Sequence, residues 1–199
     1  MKKMVVFEMD NTVLHGRFID TCARKYNFRQ ALDLLRNIDK NSISLTKRIC
    51  SFLKGKPVQE LIRIADEMPM TRDLHEVIGE LKARGYIIGL ITDSYHVIAE
   101  HICKKMGGDF SLAYELKHID GYATGEVIIP RSFYFSEESS CNHPVCKTNA
   151  LRAICREKDV DMENSIVICN NDNDCILHHA GIGVACSWRS FTEVLEYAP

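Results

Sequence analysis

The sequence predicts an α/β fold in which a parallel sheet carries an α-helical segment inserted after the first strand. Short apolar runs alternate with amphipathic helices, and this alternation gives right-handed βαβ units and a parallel sheet. One long stretch after the first run has helical spacing only. The length of 199 residues suits a single α/β domain with a small inserted subdomain.

The first half of the chain supplies two predicted strands. Residues 4–8, MVVFE, form a short β-branched apolar run of the kind found in buried parallel strands. From Phe18 to Met70 apolar residues recur every three or four positions, as in ALDLLRNI and VQELIRIADEM, which predicts helices without an intervening strand. An amphipathic helix over 74–85 ends at Gly85 and leads into a strand over 86–92, YIIGLIT.

The second half continues the alternation. A helix in HVIAEHICKKMGG is followed by LAYELKHIDGYATGEVII, whose alternating pattern and turn signals predict a strand or hairpin pair. After an irregular stretch over 130–145, a helix in KTNALRAICREK precedes a strand over 165–169. A helix in CILHHAG, a strand over 182–186 and a short terminal helix complete the prediction.

Composition and charge exclude several classes of protein. The chain is 46% hydrophobic and 26% charged, as in an ordinary globular protein. A net charge of −2 gives no general attraction to nucleic acid or to an anionic membrane. No apolar run approaches the roughly 20 residues of a membrane span, and the first strand begins almost at Met1. We therefore expect no signal peptide, no membrane partner, no nucleic-acid partner and a cytoplasmic location.

Nine cysteines are odd in number and scattered, which does not suggest a disulfide framework. Several lie within apolar runs, where free cysteine packs as a small hydrophobic residue. The segment CNHPVC is the exception, because Cys141, His143 and Cys146 could bind a soft metal ion. No second ligand pair lies at zinc-finger spacing.

Polar residues gather after three of the predicted strands, in EMDNT, TDSY and NNDND, and Lys147 opens a helix between the last two groups. The carboxyl ends of parallel strands share one edge of a sheet, where ligands of α/β proteins bind. Paired carboxylates and a further acidic group can hold Mg²⁺, and a lysine can neutralise a phosphoryl group in the transition state. One carboxylate can attack phosphorus while its neighbour protonates the leaving oxygen. The pattern favours phosphoryl chemistry.

Four motifs in this order resemble those of the haloacid dehalogenase superfamily, in its phosphoserine phosphatase branch. They lie in VVFEMDNTVL, LKARGYIIGLITDS, KTNALRAI and SIVICNNDND, and the resemblance covers nearly the whole chain. It implies a Rossmann-like core formed by residues 1–13 and 74–199. It also implies a helical cap over residues 14–73 that closes over a phosphate site.

The resemblance assigns roles to individual residues. Glu8 falls at the nucleophile, Asp10 at the general acid/base, Thr92 at the phosphate-binding hydroxyl and Lys147 at the charge-stabilising lysine. Asp93 and Ser94 complete the implied phosphate loop, and the implied Mg²⁺ ligands are Glu8, Asp10, Asn170 and Asp174. The following helix is one residue shorter than the family spacing, and a slip of the alignment would favour Asp172 in place of Asp174.

Three departures from the family pattern bear on the reaction. Glu8 replaces an aspartate, and its extra methylene moves the carboxylate by about 1.5 Å, where a misplacement near 1 Å can cost about a hundredfold in rate. Asn170 replaces an acidic residue, which should weaken metal binding. Asp93 stands where the family has glycine, and its carboxylate would repel a phosphate unless it turned away or bound metal.

The cap positions also differ. Arg17 lies where phosphoserine phosphatases have a glutamate for the substrate ammonium, and Asp20 follows one helical turn later. Arg48 lies near the position of the family's substrate arginine in the cap. Arg17 favours a substrate with an anionic group over phosphoserine. Elsewhere, we expect His178 on a helix surface and Trp188 in packing.

Two main hypotheses follow. The first is a Mg²⁺-dependent phosphatase, monomeric or homodimeric, that hydrolyses a small phosphorylated metabolite and is slow or specialised because of Glu8. The second is a catalytically impaired relative that binds a phosphorylated ligand or a protein partner. A metal-binding or redox protein built on the CNHPVC segment is the third alternative.

Overall fold

The computed structural model describes residues 2–186 and 190–198, so Trp188 lies outside the described part of the chain. Six strands form one sheet in the order β4-β3-β2-β1-β5-β6. The strands are β1 (Lys3–Phe7), β2 (Tyr86–Tyr95), β3 (Phe110–Ile119), β4 (Tyr122–Ile128), β5 (Ser165–Cys169) and β6 (Ile182–Ala185). All neighbours are parallel except β3 and β4, which form an antiparallel hairpin. The α/β prediction is confirmed.

In the described part of the chain, seven α-helices lie between these strands. They are α1 (Phe18–Lys25), α2 (Arg29–Ile38), α3 (Ser42–Ser51), α4 (Val58–Asp66), α5 (Leu74–Ala83), α6 (His96–Met106) and α7 (Lys147–Lys158). The first four lie between β1 and β2, in the stretch for which helical spacing was predicted. Within the described residues no helix is long and apolar enough to cross a membrane.

The sheet order reverses at β1. The chain moves outward from β1 through β2, β3 and β4, and then returns to place β5 and β6 on the other side. Such a reversal opens a crevice beyond the carboxyl ends of the strands, where α/β proteins bind ligands. Residues Met4 to Phe7 of β1 are fully buried between β2 and β5, so the first predicted strand forms the centre of the core.

Strand β2 continues three residues beyond its predicted end at Thr92. Its register with β3 shifts between Ile91 and Tyr95, and such an irregularity re-aims side chains near the end of a strand. Thr92 and Ser94 are buried there, while Asp93 is exposed. The backbone therefore separates the Asp93 side chain from its two polar neighbours.

The predicted helix in CILHHAG is only a 3-10 turn, Cys175–His178, and the predicted terminal helix is a 3-10 segment, Thr192–Glu196. Gly181 follows the first turn closely and enters β6. A Cβ at Gly181 would lie 2.0 Å from the carbonyl oxygen of Glu163. This close backbone approach leaves no length for a further helical turn before the strand.

The turn between α3 and α4 is hydrogen-bonded to the β3–β4 hairpin. Gly55 N donates to Ala123 O at 2.7 Å, and Ala123 N donates to Lys56 O at 2.9 Å. Val58 N donates to Gly121 O at 2.8 Å. These three backbone bonds attach the helical segment to the edge of the sheet.

Candidate active site

The loop after β1 is fixed by hydrogen bonds on both sides. Glu8 N continues the pairing with β5 by donating to Ile168 O at 2.9 Å. Farther along, the hydroxyl oxygen of buried Thr12 accepts from Asn170 N at 3.0 Å. Asp10 Oδ1 accepts from Phe18 N, in the first turn of α1, at 2.9 Å, which satisfies a helix N–H that has no partner within the helix. The loop thus joins β1, β5 and α1 at the crevice.

The Glu8 carboxylate is buried among polar partners, with only 7% of the residue exposed. Its Oε1 accepts from Met9 N at 3.1 Å, and its Oε2 contacts the ammonium of Lys147. Burial raises the pKa of Glu8, while the charge of Lys147 and a hydrogen bond from Thr92 oppose that rise. The cost of burying this carboxylate is therefore offset mainly by a lysine from a distant segment.

Lys147 joins two of the three polar strand ends. It is the first residue of α7, and its ammonium lies against Glu8 and 2.5 Å from Asp174 Oδ2. Burial alone would lower the pKa of Lys147, but the charges of Glu8, Asp93 and Asp174 outweigh it and hold the pKa well above its usual value. The lysine stays protonated in this site.

The carboxyl of Asp10 holds its proton unusually strongly. Burial raises its pKa to about 8, against the hydrogen bond from Phe18, and the nearby charges of Glu8 and Asp93 add to the rise. Like charges at short range disfavour a second ionisation. Asp10 is therefore largely protonated at neutral pH while no cation lies beside it.

A cleft of about 530 Å³ lies at this edge of the sheet. Its walls bring together most of the predicted site residues: Glu8, Asp10, Arg17, Asp93, Ser94, Lys147, Asn170 and Asp174. Thr92 lies behind the wall, fully buried. Asp172 is exposed and does not line the cleft, whereas Asp174 does. Of the two aspartates that the alternative alignments offer, the structure brings Asp174 to the cleft.

The cap residues divide into two groups. Arg17 lines the cleft with an exposed side chain. Asp20 does not line it and is ion-paired with Arg36, at 2.7 Å. Arg48 also lies away from the cleft, 3.3 Å from the carboxylate of Asp39. The structure thus brings Arg17 to the predicted site and does not bring Asp20 or Arg48 there.

Arg36 was not among the sequence-predicted site residues, yet it lines the cleft. It lies on α2, and its pairing with Asp20 of α1 directs it across the helical segment. Because the face of α2 that meets the cleft depends on how α1 and α2 pack, helical spacing alone could not identify it. Two guanidinium groups, those of Arg17 and Arg36, therefore border the cleft.

The donor set of the cleft fits a hard divalent cation. Four carboxylates line it, with an amide at Asn170 and the single ammonium of Lys147. Carboxylate and amide oxygens are the ligands that Mg²⁺ prefers. Burial, with the charges of Glu8 and Asp93, raises the pKa of Asp10, and a cation beside these carboxylates would lower it again.

Comparisons with known proteins agree with this architecture. The family model of haloacid dehalogenase-like hydrolases matches residues 5–175. A phosphoserine phosphatase of Methanocaldococcus jannaschii is 25% identical over 193 residues, which cover 92% of this chain and 85% of that protein. One from Archaeoglobus fulgidus is 26% identical over 92% of this chain, but this chain spans only 52% of its length.

Solved structures show the same fold. A phospho-aspartyl intermediate analogue of phosphoserine phosphatase superposes with a TM-score of 0.78 at 21% identity, covering 100% of this chain and 99% of that one. A substrate-bound phosphoserine phosphatase complex gives a TM-score of 0.77 at 20% identity. Because the family model matches most of this chain, the chain belongs to the haloacid dehalogenase-like hydrolases, and it is similar to phosphoserine phosphatases.

Proposed function

We propose that this protein is a Mg²⁺-dependent phosphatase that hydrolyses a small phosphate monoester through a carboxylate nucleophile. The observation that carries the proposal is the convergence of Glu8, Asp10, Lys147 and Asp174 in one cleft at the reversal point of the sheet. Residues 14–73 would act as the cap over this cleft. A cytoplasmic location and a monomeric or homodimeric state remain predictions.

In the first proposed step, the Glu8 carboxylate attacks phosphorus and forms an acyl phosphate while the bond to the leaving alcohol breaks. Asp10 gives its proton to that alcohol oxygen. Burial, which raises the pKa of Asp10 to about 8 in the metal-free site, favours the protonated carboxyl that this step needs, whereas a bound Mg²⁺ ion would lower that pKa. In the second step Asp10 takes a proton from water, and the water oxygen attacks phosphorus and releases phosphate and Glu8.

The other residues hold the phosphoryl group. The Lys147 ammonium stabilises negative charge on the phosphoryl oxygens, and the Ser94 hydroxyl donates to them. Thr92 is fully buried behind the wall, and its hydroxyl serves the site by donating to Glu8. Glu8, Asp10, Asn170 and Asp174 would hold Mg²⁺, which supplies charge neutralisation of the phosphoryl group. The Asp93 carboxylate lines the cleft and acts on Lys147, so a phosphate beside it would need the charge of this ammonium or of the metal ion.

The substrate class follows from the arginines. Arg17 brings an exposed guanidinium group to the cleft, whereas the charge of Arg36 is compensated by its ion pair with Asp20. Guanidinium groups bind carboxylates and phosphates through paired hydrogen bonds. A small phosphate ester with a second anionic group fits this wall better than one with a free ammonium.

The test is phosphate release from p-nitrophenyl phosphate with and without added Mg²⁺, followed by acid quench and mass spectrometry. We expect Mg²⁺-dependent turnover and a phosphoryl group on the peptide that contains Glu8. Glu8→Gln, which keeps the side-chain length but cannot attack, should lose both signals. Turnover with the phosphoryl group on another peptide would exclude Glu8 as the nucleophile.

A second candidate function is a catalytically impaired protein that binds a phosphorylated ligand or a partner protein. The replacement of the family's nucleophilic aspartate by Glu8, together with Asn170, favours it. It predicts no phosphate release from the native chain at any Mg²⁺ concentration. It also predicts that a phosphate ester still raises the melting temperature, because ligand binding to the folded state stabilises it.

A further inference from the structure

Three cysteines and a histidine meet beside the proposed active site. Cys141, His143 and Cys146 come from the irregular segment before α7, and Cys175 comes from the loop after β5. One ligand atom from each lies within 4.8 Å of all the others. The sequence supplied only the first three residues, because Cys175 is separated from them by α7 and β5 and reaches them only through the fold.

The size of this cluster matches a zinc site. Zinc bound to thiolates has bonds of about 2.3 Å, which gives a tetrahedron with edges of about 3.8 Å. Side-chain atoms that all lie within 4.8 Å need to move by about 1 Å or less to reach these vertices. Three sulfurs and one imidazole nitrogen form one of the standard sets of a closed structural zinc site.

A neighbouring hydroxyl orients two of the sulfurs in the cluster. The hydroxyl of buried Thr148 donates to Cys175 Sγ at 3.4 Å and lies 3.3 Å from Cys146 Sγ. Cys146 is also the N-cap residue of the twelve-residue helix α7, which fixes its backbone at the start of that helix. Thr148 thus orients the sulfurs of Cys146 and Cys175 toward one point.

The segment that carries three of the four residues is anchored by buried Phe133 and by an ion pair between Glu138 and Arg156 of α7, but two of its aromatic side chains are exposed. Phe135 is 52% exposed and Tyr134 is 39% exposed. Two backbone hydrogen bonds connect the beginning of this segment to its end. Phe135 N donates to Pro144 O at 3.0 Å, and Cys146 N donates to Phe133 O at 2.8 Å. A metal ion would add a cross-link between this segment and the loop after β5, which its apolar contacts do not supply.

We propose that Cys141, His143, Cys146 and Cys175 form a structural Zn²⁺ site. Thiolate and imidazole ligands select zinc over Mg²⁺, which binds to oxygen. Cys146 immediately precedes Lys147 and Cys175 immediately follows Asp174, so the ion joins the two segments that bring this ion pair into the cleft. The site is separate from the oxygen-lined site and has a different ligand chemistry.

The first measurement is the metal content of the full chain purified without chelator from zinc-supplemented cells. We expect one zinc per chain. After removal of zinc under reducing conditions, titration with Co²⁺ should give the intense visible bands of a tetrahedral sulfur-ligated ion. Removal should also lower the melting temperature, because metal binding contributes to folding.

Two variants and one control distinguish the site from general thiol binding. Cys175→Ser and His143→Ala should each weaken Co²⁺ binding by about a hundredfold or more. In both variants, treatment with a chelator should no longer lower the melting temperature. His143 is exposed, so its alanine variant tests the site without disturbing the core. Cys155→Ala, at a buried cysteine of α7 outside the cluster, should keep full binding.

Three results would overturn the proposal: protein with no zinc and no cobalt bands, a disulfide between two of the three cysteines in freshly purified protein, or unchanged binding in Cys175→Ser. None of these measurements uses phosphate release. A chain that binds zinc but releases no phosphate would leave this site intact and count only against the proposed reaction.

Discussion

Shortening Glu8 by one methylene is the sharpest test of the proposed chemistry. Glu8→Asp draws the carboxylate back by about 1.5 Å, toward the position that an aspartate nucleophile has in the family. If the native carboxylate is displaced by about 1 Å, the correction is worth about a hundredfold in rate, or about 2.7 kcal/mol of activation free energy. We expect kcat/KM for p-nitrophenyl phosphate to rise by that factor.

The same change should cost stability. The native Oε1 accepts a hydrogen bond from Met9 N at 3.1 Å, and the shorter side chain cannot keep both this bond and its contact with Lys147. The loss of one such bond lowers the free energy of unfolding by about 1 kcal/mol. Urea unfolding without Mg²⁺ measures this loss. If the rate rises while the free energy of unfolding falls, the gain in rate comes from the new position of the carboxylate and not from a more stable fold.

The assay compares initial rates of phosphate release for the native chain, Glu8→Asp, Glu8→Gln and Glu76→Asp at saturating Mg²⁺. Glu76 is exposed on α5, so its shortening should change nothing. If Glu8→Asp is no faster than the native chain while Glu8→Gln is inactive, the site is built for glutamate and the argument from side-chain length is wrong. If only Glu8→Asp turns over, the native protein is the impaired relative.

Three further predictions concern the charges of the cleft. Lys147→Met leaves buried Glu8 and half-buried Asp174 without their cation. It should lower the free energy of unfolding by about 3 kcal/mol in urea without Mg²⁺, whereas Lys147→Arg should lose less. Asp10, with a folded pKa of about 8 against about 3.9 when unfolded, binds more protons in the folded state between these values. Mg²⁺-free stability should therefore fall as pH rises from 4 to 8, by at most about 1.4 kcal/mol per pH unit, and Asp10→Asn should flatten that slope in urea unfolding at several pH values. Arg17→Ala should raise KM about tenfold or more for a phosphate ester that carries a carboxylate, and leave KM for p-nitrophenyl phosphate nearly unchanged. The control variant Arg24→Ala should leave KM for both esters unchanged. An equal rise for both esters in Arg17→Ala would refute the role of Arg17 in anion selection.

The sheet and the centre of the site could be predicted from sequence because their signals are local. The run that forms β1 is apolar and β-branched, and its burial between β2 and β5 follows directly from that composition. Glu8 and Asp10 follow it immediately, so their position at the carboxyl end of a central strand required no knowledge of tertiary packing. Lys147 could be predicted for the same reason, as the first residue of a helix beside that edge.

The features that sequence reasoning missed depend on contacts between distant segments. Arg36 reaches the cleft only because α1 and α2 pack as they do, and Cys175 reaches its partners only through the return of the chain at β5. The prediction of a helix after Asp174 was wrong for a related reason. Its residues are apolar enough for a helix, but the backbone contact of Gly181 with Glu163 brings the chain into β6 after a single turn.

The three backbone hydrogen bonds between the α3–α4 turn and the β3–β4 hairpin limit how the cleft can open. If the turn moved outward by itself, Gly55, Ala123 and Val58 would lose their partners, whereas if the hairpin moved with it, the edge of the sheet would bend. The helical segment is therefore tied to the sheet at this corner and, at its start, by the hydrogen bond from Phe18 N to Asp10. Arg17 adjoins the first attachment and Arg36 lies in the chain between the two, so the residues proposed to select the substrate are held on a wall anchored at both ends.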